Sequence, residues 1–273
     1  MPLNLILFIA LIQGVTEFLP VSSSGHLALV PVMTNQPYQG QSIDVAAHVG
    51  TLIAVLVYLR RDVIGIITAM LGVGDSLQMA SERRLGLMIA AATLPVVVVG
   101  FVVNYAAWHW LTLVTTLAWA NLIFAGLLWA ADRFGLAVFK LTDMRWSAAL
   151  AIGLMQVCAL IPGASRSGVT MTAARFFGYD RLAAARFSLL LSLPAIAGAG
   201  LLKTIDLITL EDMQLGLDAA LVALLSALFA WLAIRLMMSW LARAGFAIFV
   251  VYRLALGSIL LLALQQGWIA AVI

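Results

Sequence analysis

Long apolar runs alternate with short polar breaks along almost the whole chain. Apolar segments fall at about 3–17, 24–33, 42–59, 84–105 and 112–131, and five more at about 146–160, 167–178, 183–202, 216–240 and 246–272, bounded by Pro, Gly, Ser or charged residues. A helix needs roughly 20 mostly apolar residues to cross about 30 Å of hydrocarbon. The last three runs of each series approach that length. The first two of each are too short, and too close to a polar turn, to cross twice, so they predict helical hairpins that enter and leave on the same side.

The second series resembles the first shifted by 143 positions, which places Gln13 on Gln156, Ser22 on Ser165, Ser24 on Ser167, Gly25 on Gly168 and Asp75 on Asp218. A hairpin followed by three spanning helices crosses the membrane an odd number of times, so the second half must be inverted relative to the first. The expected fold is an all-α polytopic membrane protein, a single domain over 1–273 built as an inverted-topology repeat. Its first half covers 1–132, with a re-entrant hairpin at about 3–33, and its second covers 144–273, with a hairpin at about 146–178. Inverted repeats with broken helices place their site where the repeats meet near the midplane.

Charge fits that alternation. Arg60, Arg61, Arg83 and Arg84, then Arg133, Lys140 and Arg145, then Arg175, Arg181 and Arg186, and finally Arg235 and Arg243 fall in four breaks that the positive-inside rule assigns to the cytoplasm. The breaks around Asn104 to His109 and Lys203 to Asp212 hold one Lys against Asp206, Glu211 and Asp212, and are expected to be external. Both termini then lie outside, with the first hairpin entering from outside and the second from the cytoplasm.

Composition sharpens the solvent assignment and removes some functions. Of 273 residues 64% are hydrophobic and only 10% charged, with a mean hydropathy of +1.10, whereas soluble domains carry about 25% charged residues. The net charge of +3 is spread over short breaks and forms no basic face, so nucleic acid is not an expected partner. Cys158 is the only cysteine, which excludes a disulfide and a cysteine-based metal cluster and leaves it a packing role. No HExxH motif is present for a zinc hydrolase.

Within the hairpin turns the only ionisable residues are Glu17, His26 and Arg166. A charge at membrane depth costs about 2.5 to 3.5 kcal/mol even on lenient scales, so such residues are functional candidates. Non-helical backbone at that depth must line a polar cavity. Ser22, Ser23, Ser24, Ser165, Ser167 and Thr170 offer hydroxyls, and Gly25, Gly163 and Gly168 allow close approach of backbone N–H groups. Both turns open into helices whose N-termini favour an anion. With the planar fork of Arg166 added, the residues describe an oxyanion cradle.

The motifs QGVTEFLPVSSSGH at 13–26 and PGASRSGVT at 162–170, with the stretch DVAAHVGTLIAVLVYLRRD at 44–62, resemble the undecaprenyl-pyrophosphate phosphatases of bacterial membranes. That family carries an (E/Q)xxxE motif running into a Ser-rich Gly-His turn, and a PGxSRSxxT motif. The resemblance implies removal of one phosphate from a C55 polyprenyl pyrophosphate to recycle the lipid carrier for cell-wall synthesis. It also implies a divalent cation such as Mg²⁺ or Ca²⁺, a bacterial inner-membrane location and a site open to the periplasm. The expected partners are the polyprenyl pyrophosphate and the bilayer, with a homodimer left open.

On this reading Arg166, Ser165, Thr170 and the turn amides hold the pyrophosphate, together with Ser22, Ser24, Gly25, Ser167 and Gly168. Glu17, aided by Gln13, positions the metal or a water. His26 activates Ser23 as nucleophile, activates water, or itself attacks, and the residues do not choose among these. A first motif position occupied by Gln13 rules out a mechanism that requires two carboxylates there. His48 is read as a helix-holding partner of Asp44 rather than a catalytic group, and Asn121 and Gln156 as interhelical hydrogen-bonders.

Two other functions compete. A polyprenyl-phosphate transporter or flippase would share the inverted-repeat architecture. A type-2 phosphatidic acid phosphatase would need a further histidine downstream, and none follows His109.

Overall fold

The computed structural model describes residues 1–34, 36, 38–72, 76–106, 108–208 and 213–270. Among these it holds eleven α-helices and no strand, only an isolated bridge between Phe139 and Tyr179. The first half contains α1 (Leu3–Thr16), α2 (Ser23–Thr34), α3 (Gln41–Tyr58), α4 (Arg60–Met70), α5 (Leu77–Ala106) and α6 (Val114–Phe134). The second contains α7 (Trp146–Met155), α8 (Arg166–Phe176), α9 (Arg181–Ile208), α10 (Met213–Leu241) and α11 (Ala247–Gln265). Six helices are long and apolar enough to cross a membrane: α3, α5, α6, α9, α10 and α11. The chain is a multi-pass membrane protein.

The two hairpins form where the sequence breaks its own helices. α1 and α2 pack against each other across the turn at 17–22. α7 tightens into a 3₁₀ segment over Gln156–Leu160, and the Pro162-Gly163 turn, with Gly163 at φ 90°, reverses the chain into α8. Each second helix is entered through a serine at positive φ. Ser22 has φ 73° and Ser165 φ 69°, the only non-glycine residues with positive φ among those described, and they stand at corresponding positions of the two motifs. Strain of this kind costs roughly 1–3 kcal/mol per residue and persists only where surrounding contacts over-determine it. Ser22 Oγ faces Ser24 Oγ at 3.4 Å and Ser165 Oγ faces Ser167 Oγ at 3.2 Å, so the local pattern repeats as well.

Packing draws the halves into one body. α3 lies along α10 and α9, α1 along α10, and α6 along α11 and α8. The tip of the first hairpin enters the core of the second half. Phe18 and Val21 are buried in one apolar cluster with Ile152, Met171, Phe187, Ile234 and Phe246. Outward-facing Phe101, Leu224 and Leu236 are more than two-thirds exposed on spanning helices, as lipid-facing residues should be.

Two elements differ from the sequence expectation. The break after α3 contains a helix, α4, and α5 begins at Leu77 rather than near Arg84. α4 has 11 residues, too few to span, and carries Arg60, Arg61 and Asp62 in its first turn, so no apolar run marked it. Val63 and Ile66 turn it toward the core while Ile64 and Ile67 stay exposed. Arg175, counted by sequence among the basic residues that follow the second hairpin, is 3% exposed at the end of α8. Its guanidinium donates to the carbonyls of Tyr179 at 2.6 Å, Leu136 and Gly135 at 3.1 Å and Asp132 at 3.3 Å, tying α8 to the end of α6. The expected correspondence of Asp75 with Asp218 and the charges of Glu211 and Asp212 fall outside the described residues.

The α3–α10 crossing is close enough to exclude any side chain at Gly50, where a Cβ would stand 2.0 Å from the Ala223 carbonyl oxygen. Gly50→Ala is expected to lower stability by about 1–3 kcal/mol in thermal unfolding of the detergent-solubilised protein. Gly126→Ala on α6, with nothing within 4 Å of the new methyl, should leave the midpoint unchanged or slightly raised.

Candidate active site

Glu17, first residue of the turn after α1, is the hub of the site. It is 7% exposed, and both carboxylate oxygens are engaged. Oε1 accepts from Arg166 Nη2 at 2.9 Å. Oε2 accepts from Ser23 Oγ at 2.6 Å and from Gln13 Nε2 at 3.0 Å. A buried carboxylate without a cation would be driven neutral by desolvation, and the Arg166 guanidinium from the other half supplies the compensating charge. This contact joins the turns of the two hairpins through residues 149 positions apart.

Arg166 opens α8 and is held from three sides. Besides Glu17 it donates from Nη1 to the Ser188 carbonyl at 3.4 Å, and its Cζ stands 5.6 Å over the Phe18 ring. Its side chain remains 15% exposed. Ser23 and His26 are half-buried and Ser24 is exposed, so these three line the accessible face of the first turn. α2 begins at Ser23 and α8 at Arg166, so the Ser23–Glu17–Arg166 chain brings two helix N-termini to one place. Their free N–H groups and positive dipole ends favour an anion between them.

The remaining predicted anion ligands sit deeper. Ser22, Ser165, Ser167 and Thr170 are buried, at 2, 6, 1 and 1% exposure, and each is engaged by the protein. Ser165 Oγ caps α8 by accepting from Gly168 N at 3.2 Å. Ser167 Oγ donates to the Leu19 carbonyl at 2.9 Å, joining the two turns. Thr170 Oγ1 donates to the Arg166 carbonyl at 2.9 Å and lies 2.7 Å from Ser188 Oγ. Gly168 must lack a side chain, since a Cβ there would meet Arg253 Nη1 at 2.6 Å, and a Cβ at Gly25 would press the Leu117 side chain at 3.3 Å.

His26 Nδ1 lies 2.6 Å from the Ser22 carbonyl oxygen. A carbonyl only accepts, so Nδ1 carries the proton, and in a neutral ring Nε2 must then accept. The donor is the Tyr252 hydroxyl, whose ring also stacks on the imidazole at 5.6 Å between centroids. Both nitrogens of His26 are thus engaged away from Ser23.

Three residues outside the expected site set belong to this constellation: His48, which the sequence assigned only a helix-holding role, and Tyr252 and Arg253, which it did not single out. His48 donates from Nδ1 to the Asp44 backbone carbonyl at 2.7 Å, and its Nε2 faces Glu17 Oε2 at 3.6 Å. The i, i+4 link to Asp44 exists, but through the backbone, and it aims the other nitrogen at the hub. Tyr252 and Arg253 come from α11, far from either motif. Arg253 is fully buried with no carboxylate in ion-pair contact among the described residues, donating from Nη2 to the carbonyls of Gly163 at 2.8 Å and Ala164 at 2.9 Å, and from Nη1 to that of Pro20 at 3.4 Å. A lone Arg inside an apolar stretch was the signal available for it. Of the two interhelical candidates, Asn121 donates to the Leu117 carbonyl within its own helix at 3.0 Å, and the side-chain amide of Gln156 is buried without a partner.

Comparison with known proteins matches residues 6–259 to the family described as Bacitracin resistance protein BacA. A protein of Alcanivorax borkumensis named undecaprenyl-diphosphatase is 48% identical over 93% of this chain and 96% of its own length. Proteins of the same name from Ruegeria pomeroyi and Erythrobacter litoralis are 45% and 43% identical, each over 94% of this chain, covering 96% and 97% of their own lengths.

Arg253→Met would leave the Pro20, Gly163 and Ala164 carbonyls without a donor, at about 1–3 kcal/mol for each buried orphan. The expected outcome is a thermal midpoint in detergent lowered further than that of Gly50→Ala, with partial recovery in Arg253→Lys. An unchanged midpoint in Arg253→Met would show that the turns are held by other contacts.

Proposed function

The chain belongs to the BacA family of bacitracin resistance proteins, and on that basis we propose that it is an undecaprenyl-diphosphatase. It hydrolyses undecaprenyl diphosphate to undecaprenyl phosphate and inorganic phosphate, returning the lipid carrier to cell-wall synthesis. The observation that carries this reading is the Ser23–Glu17–Arg166 chain at the meeting of two helix N-termini, a hydroxyl, a proton acceptor and a guanidinium fork within one anion-favouring space. The relatives carry the diphosphatase name, which does not favour the transporter alternative.

Arg166 and the N-terminal amides of α2 and α8 bind the diphosphate and stabilise charge on the equatorial oxygens of the transferring phosphoryl group. Ser23 Oγ attacks the distal phosphorus while its proton passes to Glu17 Oε2, its partner at 2.6 Å. The phosphoanhydride bond breaks and undecaprenyl phosphate leaves. Water then cleaves the phosphoserine, releasing phosphate and restoring Ser23. His26, with Nδ1 donating to the Ser22 carbonyl and Nε2 accepting from Tyr252, orients the turn and can take a proton at Nε2. The buried Ser22, Ser165, Ser167 and Thr170 keep the two turns in shape.

A divalent cation suits these residues in a sparse way. Gln13 Oε1 is buried without a hydrogen-bond partner while its amide nitrogen donates to Glu17, so an unused oxygen ligand stands beside a carboxylate. No cluster of three or more His, Cys, Asp or Glu forms a metal cage among the described residues. Gln13 and Glu17 would therefore hold an ion such as Mg²⁺ or Ca²⁺ jointly with the substrate phosphates, as hard cations commonly are held. When bound, it neutralises charge on the phosphate oxygens.

We further place the protein in the bacterial inner membrane with both termini and the mouth of the site facing the periplasm, the second repeat inverted relative to the first. The basic breaks support this orientation.

Phosphate release from undecaprenyl diphosphate by the purified protein in detergent tests the reading directly. Arg166→Ala should lower kcat by about 10²- to 10³-fold. Ser23→Ala should abolish turnover, and rapid-quench mass spectrometry of the wild type should find phosphate on the Ser23 peptide. Steady turnover in Ser23→Ala would assign the attack to water or His26 instead. Excess chelator should suppress turnover and added Mg²⁺ or Ca²⁺ should restore it, with Gln13→Ala raising the cation concentration needed. Undiminished activity under chelation would remove the cation from the scheme.

A further inference from the structure

A cavity lined by both charged and apolar residues lies apart from the two turns. It has a volume of about 860 Å³ and opens where the end of α3, the start of α9 and the end of α10 meet. More than two turns of α3 separate His48 from Tyr58 at the cavity, roughly 15 Å along the helix axis. Four arginines line it, Arg60, Arg61, Arg186 and Arg235, against a single carboxylate, Asp62. Arg186 spends its charge on that carboxylate, with Nη2 at 2.7 and 3.0 Å from the two oxygens, and so fixes one wall. The other three have no carboxylate within ion-pair distance among the described residues.

The setting of these three charges decides what they fit. Arg235 is stacked over the Trp231 ring at 5.5 Å, which holds its guanidinium at the rim. Val57, Leu59, Leu182 and Met238 give the wall an apolar part beside Tyr58 and Ser239, and the adjoining outer faces of α3 and α10 expose Leu56 and Leu236. A soluble anion would use the charges and leave that apolar surface unmatched. A molecule with a phosphate head and hydrocarbon chains uses both. Basic pockets between membrane helices bind lipid phosphate groups in this manner, at about 1 kcal/mol per arginine.

We propose that this cavity is a binding site for the phosphate head of an anionic lipid, held by Arg60, Arg61 and Arg235, with its chains along the outer faces of α3 and α10. The site is separate from the phosphatase centre. It places a lipid phosphate across the joint between α3 and α10, the helices that hold His48 and the close packing at Gly50.

Native mass spectrometry of the full-length protein released from nanodiscs tests this by lipid retention rather than turnover. From a phosphatidylglycerol–phosphatidylcholine mixture the wild type should retain phosphatidylglycerol selectively. Arg60→Gln, Arg61→Gln and Arg235→Gln should each weaken retention about fivefold. All three variants should still release phosphate from undecaprenyl diphosphate, which reports that they fold. A parallel arm with undecaprenyl phosphate in a phosphatidylcholine disc identifies the source: whichever lipid is lost with the arginines is the occupant. Equal retention of phosphatidylglycerol and phosphatidylcholine with no retention of undecaprenyl phosphate, retention indifferent to all three substitutions, or complete displacement by inorganic phosphate would overturn the proposal.

Discussion

Breaking a helix inside a membrane exposes backbone carbonyls that water cannot reach, and the structure depends on how those carbonyls are satisfied. Arg253 does most of this from a single guanidinium, reaching Pro20 in the first turn and Gly163 and Ala164 in the second. Ser167 adds a bond from the second turn to the Leu19 carbonyl in the first. An unsatisfied amide at this depth costs several kcal/mol, so neither turn is stable in its observed shape without the other. The strained Ser22 and Ser165 can be tolerated because the contacts around them leave no alternative.

The same interlocking creates the chemistry. Glu17 and Arg166 are each expensive to bury alone, and each becomes affordable beside the other. The ion pair forms only when the hairpins have docked, so assembling the fold and assembling the site are one event. Gln13, Ser23 and His48 then fill the remaining directions around the carboxylate, and the helix N-termini of α2 and α8 leave a positive space next to it. On the proposed reading, a substrate diphosphate would be met by donors already fixed in position, which lowers the reorganisation that catalysis requires.

Arginine takes four different roles here, and environment rather than sequence separates them. Arg166 faces a carboxylate and stays partly exposed. Arg253 and Arg175 are buried against carbonyls and serve as braces. Arg186 is neutralised by Asp62. Arg60, Arg61 and Arg235 have no carboxylate in ion-pair contact among the described residues and line an amphipathic cavity. Counting positive charges along the chain treats all of them as orientation signals, and Arg175 shows the limit of that view. It sits in a basic break by sequence and is packed against four backbone carbonyls in the fold.

The sequence by itself determined the solvent, the helices and the identity of the two turns. Apolar run lengths reflect the thickness of the bilayer, and Pro, Gly and Ser break helices by local geometry, so segments such as Leu3–Thr16, Ser23–Thr34 and Arg166–Phe176 were legible to within a few residues. Glu17, His26 and Arg166 were legible because charge inside an apolar chain demands a reason. α4 was not, because an 11-residue helix with three charges in its first turn has no apolar run to mark it. Only the tertiary structure decided which side chains face one another: that Ser23 bonds Glu17 while His26 turns to Tyr252, that His48 points at the hub, and that the hydroxyls of Ser165, Ser167 and Thr170 are spent on the protein. The long-range pairings among these, His26 with Tyr252, His48 with Glu17 and Ser167 with Leu19, join separate elements up to 226 positions apart and depend on how the helices pack. No periodicity along one strand of sequence records that packing, because the energy that selects it comes from burying and pairing groups across the whole bundle.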